Sequence, residues 1–143
     1  MGLDMKVIIA GGRDFEDYEM VKKAIEQSGF DITEVVSGGA KGADSLGERW
    51  AGENGIPITK FPAKWNDLKA PGVAIRTNRW GKKYNANAGF DRNGDMAKYV
   101  GPEGGLIALP GGNGTKNMIK LANKHKVRVH VYQLQDEDYE YQF

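Results

Sequence analysis

The chain has 143 residues, 40% hydrophobic and 27% charged, a balance that fits one globular domain and makes two complete ones cramped. Its 20 basic and 19 acidic residues leave a net charge of +1, so bulk electrostatics give no case for nucleic acid. Cysteine is absent and only His125 and His130 carry imidazole, which excludes disulfides, thiolate metal sites and a thiol nucleophile, and argues against a His-rich metal centre.

Met1 to Met5 contains Asp4 and runs straight into a short strand-like segment, unlike a secretory signal. No stretch approaches the roughly 20 apolar residues that a bilayer span needs. The expectation is a cytoplasmic protein with no membrane partner.

Lys6 to Ala10 is a β-branched run stopped by Gly11-Gly12, the pattern of a buried strand in a parallel sheet. Asp14 to Ser28 carries Tyr18, Val21, Ala24 and Ile25 at helical spacing, and Gly29 closes it. A second strand is predicted over Ile32 to Val36, ending at Ser37-Gly38-Gly39. A helix follows over Ala43 to Asn54, with Leu46, Trp50 and Ala51 on one stripe. Ile56 to Phe61 is the third strand, with Pro57 at its start, where a missing N–H is tolerated.

Residues 62–89 break the rhythm. They hold Lys64, Lys69, Arg76, Arg79, Lys82 and Lys83 against Asp67, interleaved with Trp65, Trp80 and Tyr84. Such insertions are usually lids, binding loops or mobile segments. The pattern then resumes with a helix over Arg92 to Tyr99, a strand over Gly105 to Leu109, a helix over Thr115 to His125 and a strand over Val127 to Tyr132. His125 reads as a charge at a helix C-terminus, and His130 as a strand residue. An acidic tail, residues 133–143, carries alternating Tyr139, Tyr141 and Phe143 that would dock on a partner or on the domain itself.

Strands alternating with helices imply βαβ units and hence a Rossmann-like α/β domain over residues 1–132, with a central parallel sheet of about five strands flanked by helices. In such sheets ligands bind beyond the carboxyl ends of the strands. Three of the predicted strands end there in a glycine pair.

The first elbow is Gly11-Gly12-Arg13-Asp14. Glycine lets backbone approach a ligand, a helix N-terminus attracts phosphate, and Arg13 could add a bidentate contact. A plain tight turn with Asp14 as helix cap fits equally. The second, Ser37-Gly38-Gly39-Ala40-Lys41-Gly42-Ala43-Asp44, has more glycine than a turn needs, yet is neither a Walker loop nor GxGxxG. Lys41 could meet a phosphate, and Asp44 could accept from a ribose or cap the helix. The third, Pro110-Gly111-Gly112-Asn113-Gly114-Thr115, is the most specific signal, with the Thr115 hydroxyl able to cap a helix or bond a phosphate oxygen. Trp65, just past the third strand, either stacks on a base or pins the insertion.

Pro110 to Thr115 resembles the PGGxGT signature of the SLOG superfamily, Rossmann-like domains that include the LOG phosphoribohydrolases and the DNA-processing protein A (DprA) group. The first two elbows, with Arg92-Asn93 and Met96, look like its small bacterial and phage YspA-like branch. The resemblance spans roughly residues 5–132, apart from the insertion, and implies a nucleotide or nucleotide-derivative site on these loops. Arg92 aligns with the family's ligand-contacting arginine. In LOG hydrolases the signature continues as PGGxGTxxE, and the glutamate assists cleavage of an N-glycosidic bond. Here that position is Met118, after Lys116 and Asn117, and a thioether takes no proton. The binding site carries over and the reaction does not.

The expectation is therefore a nucleotide-binding protein, a sensor or a nucleotide-processing protein, needing no metal and no further cofactor. A single-stranded nucleic-acid module, prompted by the basic aromatic insertion, is the first alternative. A phosphoribohydrolase, disfavoured by Met118, is the second. A homo-oligomer paired through helices is a further expectation.

Overall fold

The computed structural model describes residues 4–133, so the acidic tail and its alternating aromatics lie outside the described residues. Seven strands and four helices follow one another as β1 (Lys6–Ala10), α1 (Tyr18–Ser28), β2 (Glu34–Ser37), α2 (Ala43–Glu53), β3 (Ile58–Lys60), β4 (Ile75–Thr77), β5 (Lys83–Asn85), α3 (Ala88–Val100), β6 (Gly105–Ala108), α4 (Asn113–Lys124) and β7 (Arg128–Val131). Five of these strands form one parallel sheet in the order β3-β2-β1-β6-β7.

The sheet is the middle of three layers, and strand alternation sorts its side chains between them. Val7, Ile9, Val35 and Ile107 face Val21 and Ala24 of α1 and Ala51 of α2. Ile8, Ala10, Val36 and Leu106 face Met96, Ala97 and Val100 of α3 and Met118 and Ala122 of α4. Because both faces are covered, β1 after Lys6 and the whole of β6 are continuous apolar runs. The Rossmann-like α/β architecture expected from the sequence is what the chain adopts.

Several boundaries differ from the sequence expectation. Helix α1 starts at Tyr18 rather than Asp14, and the carboxylate that caps it is Asp17, which accepts the Met20 N–H at 3.1 Å. Asp14 stays in the turn. Helix α3 begins at Ala88, a turn before Arg92, so Arg92 and Asn93 lie inside a helix rather than at its start. An Asx turn launches it: Asn85 Oδ1 accepts the Asn87 N–H at 2.9 Å. Helix α4 begins at Asn113, so Thr115 sits in its first turn and makes no side-chain cap.

The basic insertion carries its own ordered hairpin, β4 paired antiparallel with β5. Asn78 Oδ1 holds its turn by accepting from the N–H groups of Trp80 and Lys82 at 2.9 and 3.0 Å. The Asn85 N–H donates to the Trp65 carbonyl at 2.7 Å and the Ala86 N–H to the Ala74 carbonyl at 2.8 Å, closing the insertion on itself. Among the described residues no helix is long and apolar enough to cross a membrane.

The central sheet is the part least able to give. Ile107→Ala, at a fully buried position, should cost about 2–5 kcal/mol in chemical denaturation, whereas Val131→Ala on the exposed edge strand should stay within about 0.5 kcal/mol.

Candidate functional site

Strand order reverses between β1 and β6, each of which has its own sequence neighbour on the outer side. A crevice opens at the carboxyl ends of strands on either side of such a switch point. Here an open cleft of about 370 Å³ lies there, lined by parts of all three glycine elbows. Gly11, Gly12 and Arg13 come from the first, Ala40 and Asp44 from the second, and Gly112, Gly114 and Thr115 from the third. Trp65 and Ala86 of the insertion and Arg92 and Asn93 of α3 close the remaining sides.

The elbows are held together by main chain. The Gly12 N–H donates to the Pro110 carbonyl at 2.9 Å, and the Gly12 carbonyl accepts from the Ala43 N–H at 3.1 Å. Gly42 makes that second bond possible. Its φ of +77° is a conformation L residues rarely adopt, and an added Cβ would sit 2.6 Å from the Arg13 carbonyl carbon.

This bracing uses amides that the sequence reading left for a ligand. Gly12 and Ala43 donate within the protein, the Gly39 N–H donates to Ser37 Oγ at 3.0 Å, and the Ala40 N–H donates to Asp44 Oδ2 at 3.1 Å. At α4 the situation differs. Among the described residues the N–H groups of Asn113, Gly114 and Thr115 have no acceptor, and the first intrahelical bond comes from Lys116 to the Gly112 carbonyl at 3.1 Å. Open donors and the positive end of the helix dipole therefore meet at the cleft's third wall.

Arg92 reaches the cleft from the opposite side. Its Nη1 donates to the Gly38 carbonyl at 2.6 Å, and its Nε donates to Asn93 Oδ1 at 3.1 Å. Gly38 must be glycine for this approach, since an added Cβ would lie 2.8 Å from Arg92 Cζ and 2.9 Å from Asp44 Oδ2. Burial lowers the Arg92 guanidinium from its ordinary range, opposed by the charge of Asp44. Burial likewise raises the Asp44 carboxyl, opposed by the Ala40 N–H and by Arg92. Asn93, itself buried, donates to Asn117 Oδ1 at 3.0 Å and so ties α3 to α4 beneath the cleft.

Arg13 stands at the rim, its guanidinium 5.6 Å from the centroid of the Trp65 ring. Trp65 is fixed by its carbonyl on Asn85 and by edge-on contact with Tyr84, ring centroids 6.4 Å apart. It both lines the cleft and pins the insertion.

Other expected site residues lie outside the lining. Ser37 donates to Glu48 Oε2 at 2.6 Å. Asp14 and Lys41 are exposed, Gly38, Gly39 and Gly42 shape the second elbow behind the wall, and Pro110 and Gly111 brace the third. His125 caps α4, and His130 Nε2 lies 3.2 Å from Gln27 Oε1 on the edge strand. Sequence reading missed Gly89 and Phe90, which line the cleft from the first turn of α3. The available signal was a glycine inside a helical pattern: an added Cβ at Gly89 would meet Trp65 Cη2 at 3.2 Å. Among the described residues no group of His, Cys, Asp or Glu could hold a metal ion.

Gly38→Ala should expel the Arg92 side chain, and Gly42→Ala should disturb the backbone joint as well. The second variant should lose more stability, roughly 1–3 kcal/mol from backbone strain with a similar penalty from overpacking. Thermal denaturation of the two variants, beside a Gly52→Ala control whose backbone is ordinary and whose added methyl meets open space, checks that order.

No curated protein and no solved structure matches the chain. Residues 5–67, which carry the first two elbows and Trp65, match the model of YAcAr, the YspA, cpYpsA-related SLOG family. Over that stretch, a little under half of the chain, the sequence is similar to the YspA-like branch of the SLOG superfamily.

Proposed function

We propose that the cleft binds a nucleotide or nucleotide derivative through its phosphate. The observation that carries this reading is the unsatisfied first turn of α4, where three main-chain N–H groups open beside a cleft flanked by Arg13 and Arg92. The phosphate sits on Asn113, Gly114 and Thr115, with the two guanidinium groups offsetting its charge. The Thr115 hydroxyl, which has no partner among the described residues, supplies a further contact. The similarity of residues 5–67 to the SLOG superfamily supports a nucleotide-related role at this coarse level.

The same wall argues for binding rather than glycosidic hydrolysis. Met118, at the position where LOG hydrolases carry glutamate, is buried and lines the cleft. Asp44 is the one carboxylate in the lining, and its Oδ2 already accepts from Ala40. Among the described residues Asp44 is thus the one general-base candidate in the lining.

Nucleoside monophosphates should raise the melting temperature in a thermal-shift screen, and Arg13→Ala should weaken their binding about tenfold, the usual loss for a charge-assisted hydrogen bond. Gly112→Asp is the sharper variant. Its added Cβ meets nothing within 4 Å, and aspartate is a favourable N-cap, so the fold should survive while a carboxylate occupies the phosphate position. Retention of the ligand-induced shift in that variant would overturn the reading.

Prolonged incubation with purine monophosphates should release no free base by chromatography. Release that Asp44→Asn abolishes would instead assign hydrolysis to this cleft.

A further inference from the structure

A second hollow, of about 590 Å³, opens against the first. Arg13, Trp65, Ala86 and Phe90 line both, so the two are continuous and share one wall. The phosphate reading leaves this second space unused. Its wall is built mainly by the insertion, which contributes Trp65, Arg76, Tyr84 and Ala86, while Arg13 and Phe90 come from the first elbow and α3.

The chemistry of that wall is selective. Trp65, Tyr84 and Phe90 present ring surface, and Phe90 is 52% exposed although it is a large apolar side chain. Arg13 and Arg76 supply positive charge, and no carboxylate lies in the lining. Rings with cations and no acids suit a planar group carried on an anionic link. Arg13 is placed for the link itself, since it lines both hollows and lies against the Trp65 ring between them. The first cleft is near the lower end of the roughly 300–1,000 Å³ range of small-molecule sites, enough for one nucleotide, and the second offers room for another unit.

We infer that the insertion builds a second subsite and that the ligand has two parts, a pair of nucleosides joined through a phosphate bridge held at Arg13. The inference rests on the nucleotide reading of the first cleft and names the ligand class that would fill both hollows. One nucleoside phosphate occupies the α4 side. The second ring enters between Tyr84 and Phe90, with Arg76 at its outer edge.

Calorimetric titration of the full chain with adenosine monophosphate and with diadenosine diphosphate tests it. The bridged compound should bind at least about tenfold tighter than the monophosphate. Arg76→Ala and Arg76→Gln, at an exposed position, should each remove about tenfold of that affinity while leaving the monophosphate within about twofold. Monophosphate binding with no gain for the bridged compound would overturn the second subsite and leave the first cleft's role standing. So would variants that weaken both ligands equally. Failure of both ligands to bind would remove both readings together. A short single-stranded oligodeoxyadenylate that binds tighter than the bridged compound, and loses affinity with salt, would replace the two-part ligand by a nucleic-acid strand.

Discussion

Two main-chain hydrogen bonds through Gly12 decide the shape of this protein's cleft. Its N–H takes the carbonyl of Pro110 beyond β6, and its carbonyl takes the N–H of Ala43 at the start of α2. Three β-to-α junctions, separated widely in sequence, are thereby locked into one surface. The glycines follow from this joint more than from any ligand. At Gly11 an added methyl would fall 2.8 Å from Ala43 Cβ, and at Gly111 it would fall 2.7 Å from the Gly12 nitrogen. Backbone packed this closely leaves no room for a Cβ.

The joint also sorts the amides by role. At the first two elbows the N–H groups of Gly12, Gly39, Ala40 and Ala43 are consumed by the protein. Among the described residues α4 leaves three successive first-turn N–H groups without an acceptor, those of Asn113, Gly114 and Thr115. The nucleotide reading thus narrows to the junction that the sequence marks with Pro-Gly-Gly-Asn-Gly-Thr.

Opposite α4, Arg92 and Asp44 form a half-buried, oppositely charged couple arranged around Gly38. Each is disfavoured by desolvation and supported by the other and by main-chain partners. Arg92 is tied to the carbonyl of Gly38 and to Asn93, so its guanidinium is positioned before any ligand arrives. The insertion completes the enclosure. Gly89 lets the Trp65 ring lie against α3, and the hairpin hung on that tryptophan's carbonyl extends the site sideways.

The sequence alone determined the layered parallel fold, because β-branched runs stopped by glycine and followed by helical stripes have one economical packing. It also located the three elbows, since glycine at those densities has a backbone cause. Helix starts were less legible: Asp14 and Asp17 are both plausible caps, and Gly89 resembled a break although it lies inside α3. The hairpin at β4 and β5 was hidden by its polar, exposed composition, and the strand order was not written in any local pattern. Which amides remain free, which side of the fold Ser37 faces, and whether Phe90 reaches the cleft were settled by tertiary structure only. Those facts depend on contacts between residues far apart in the chain, and a local pattern records the turn a residue makes without recording what the turn meets.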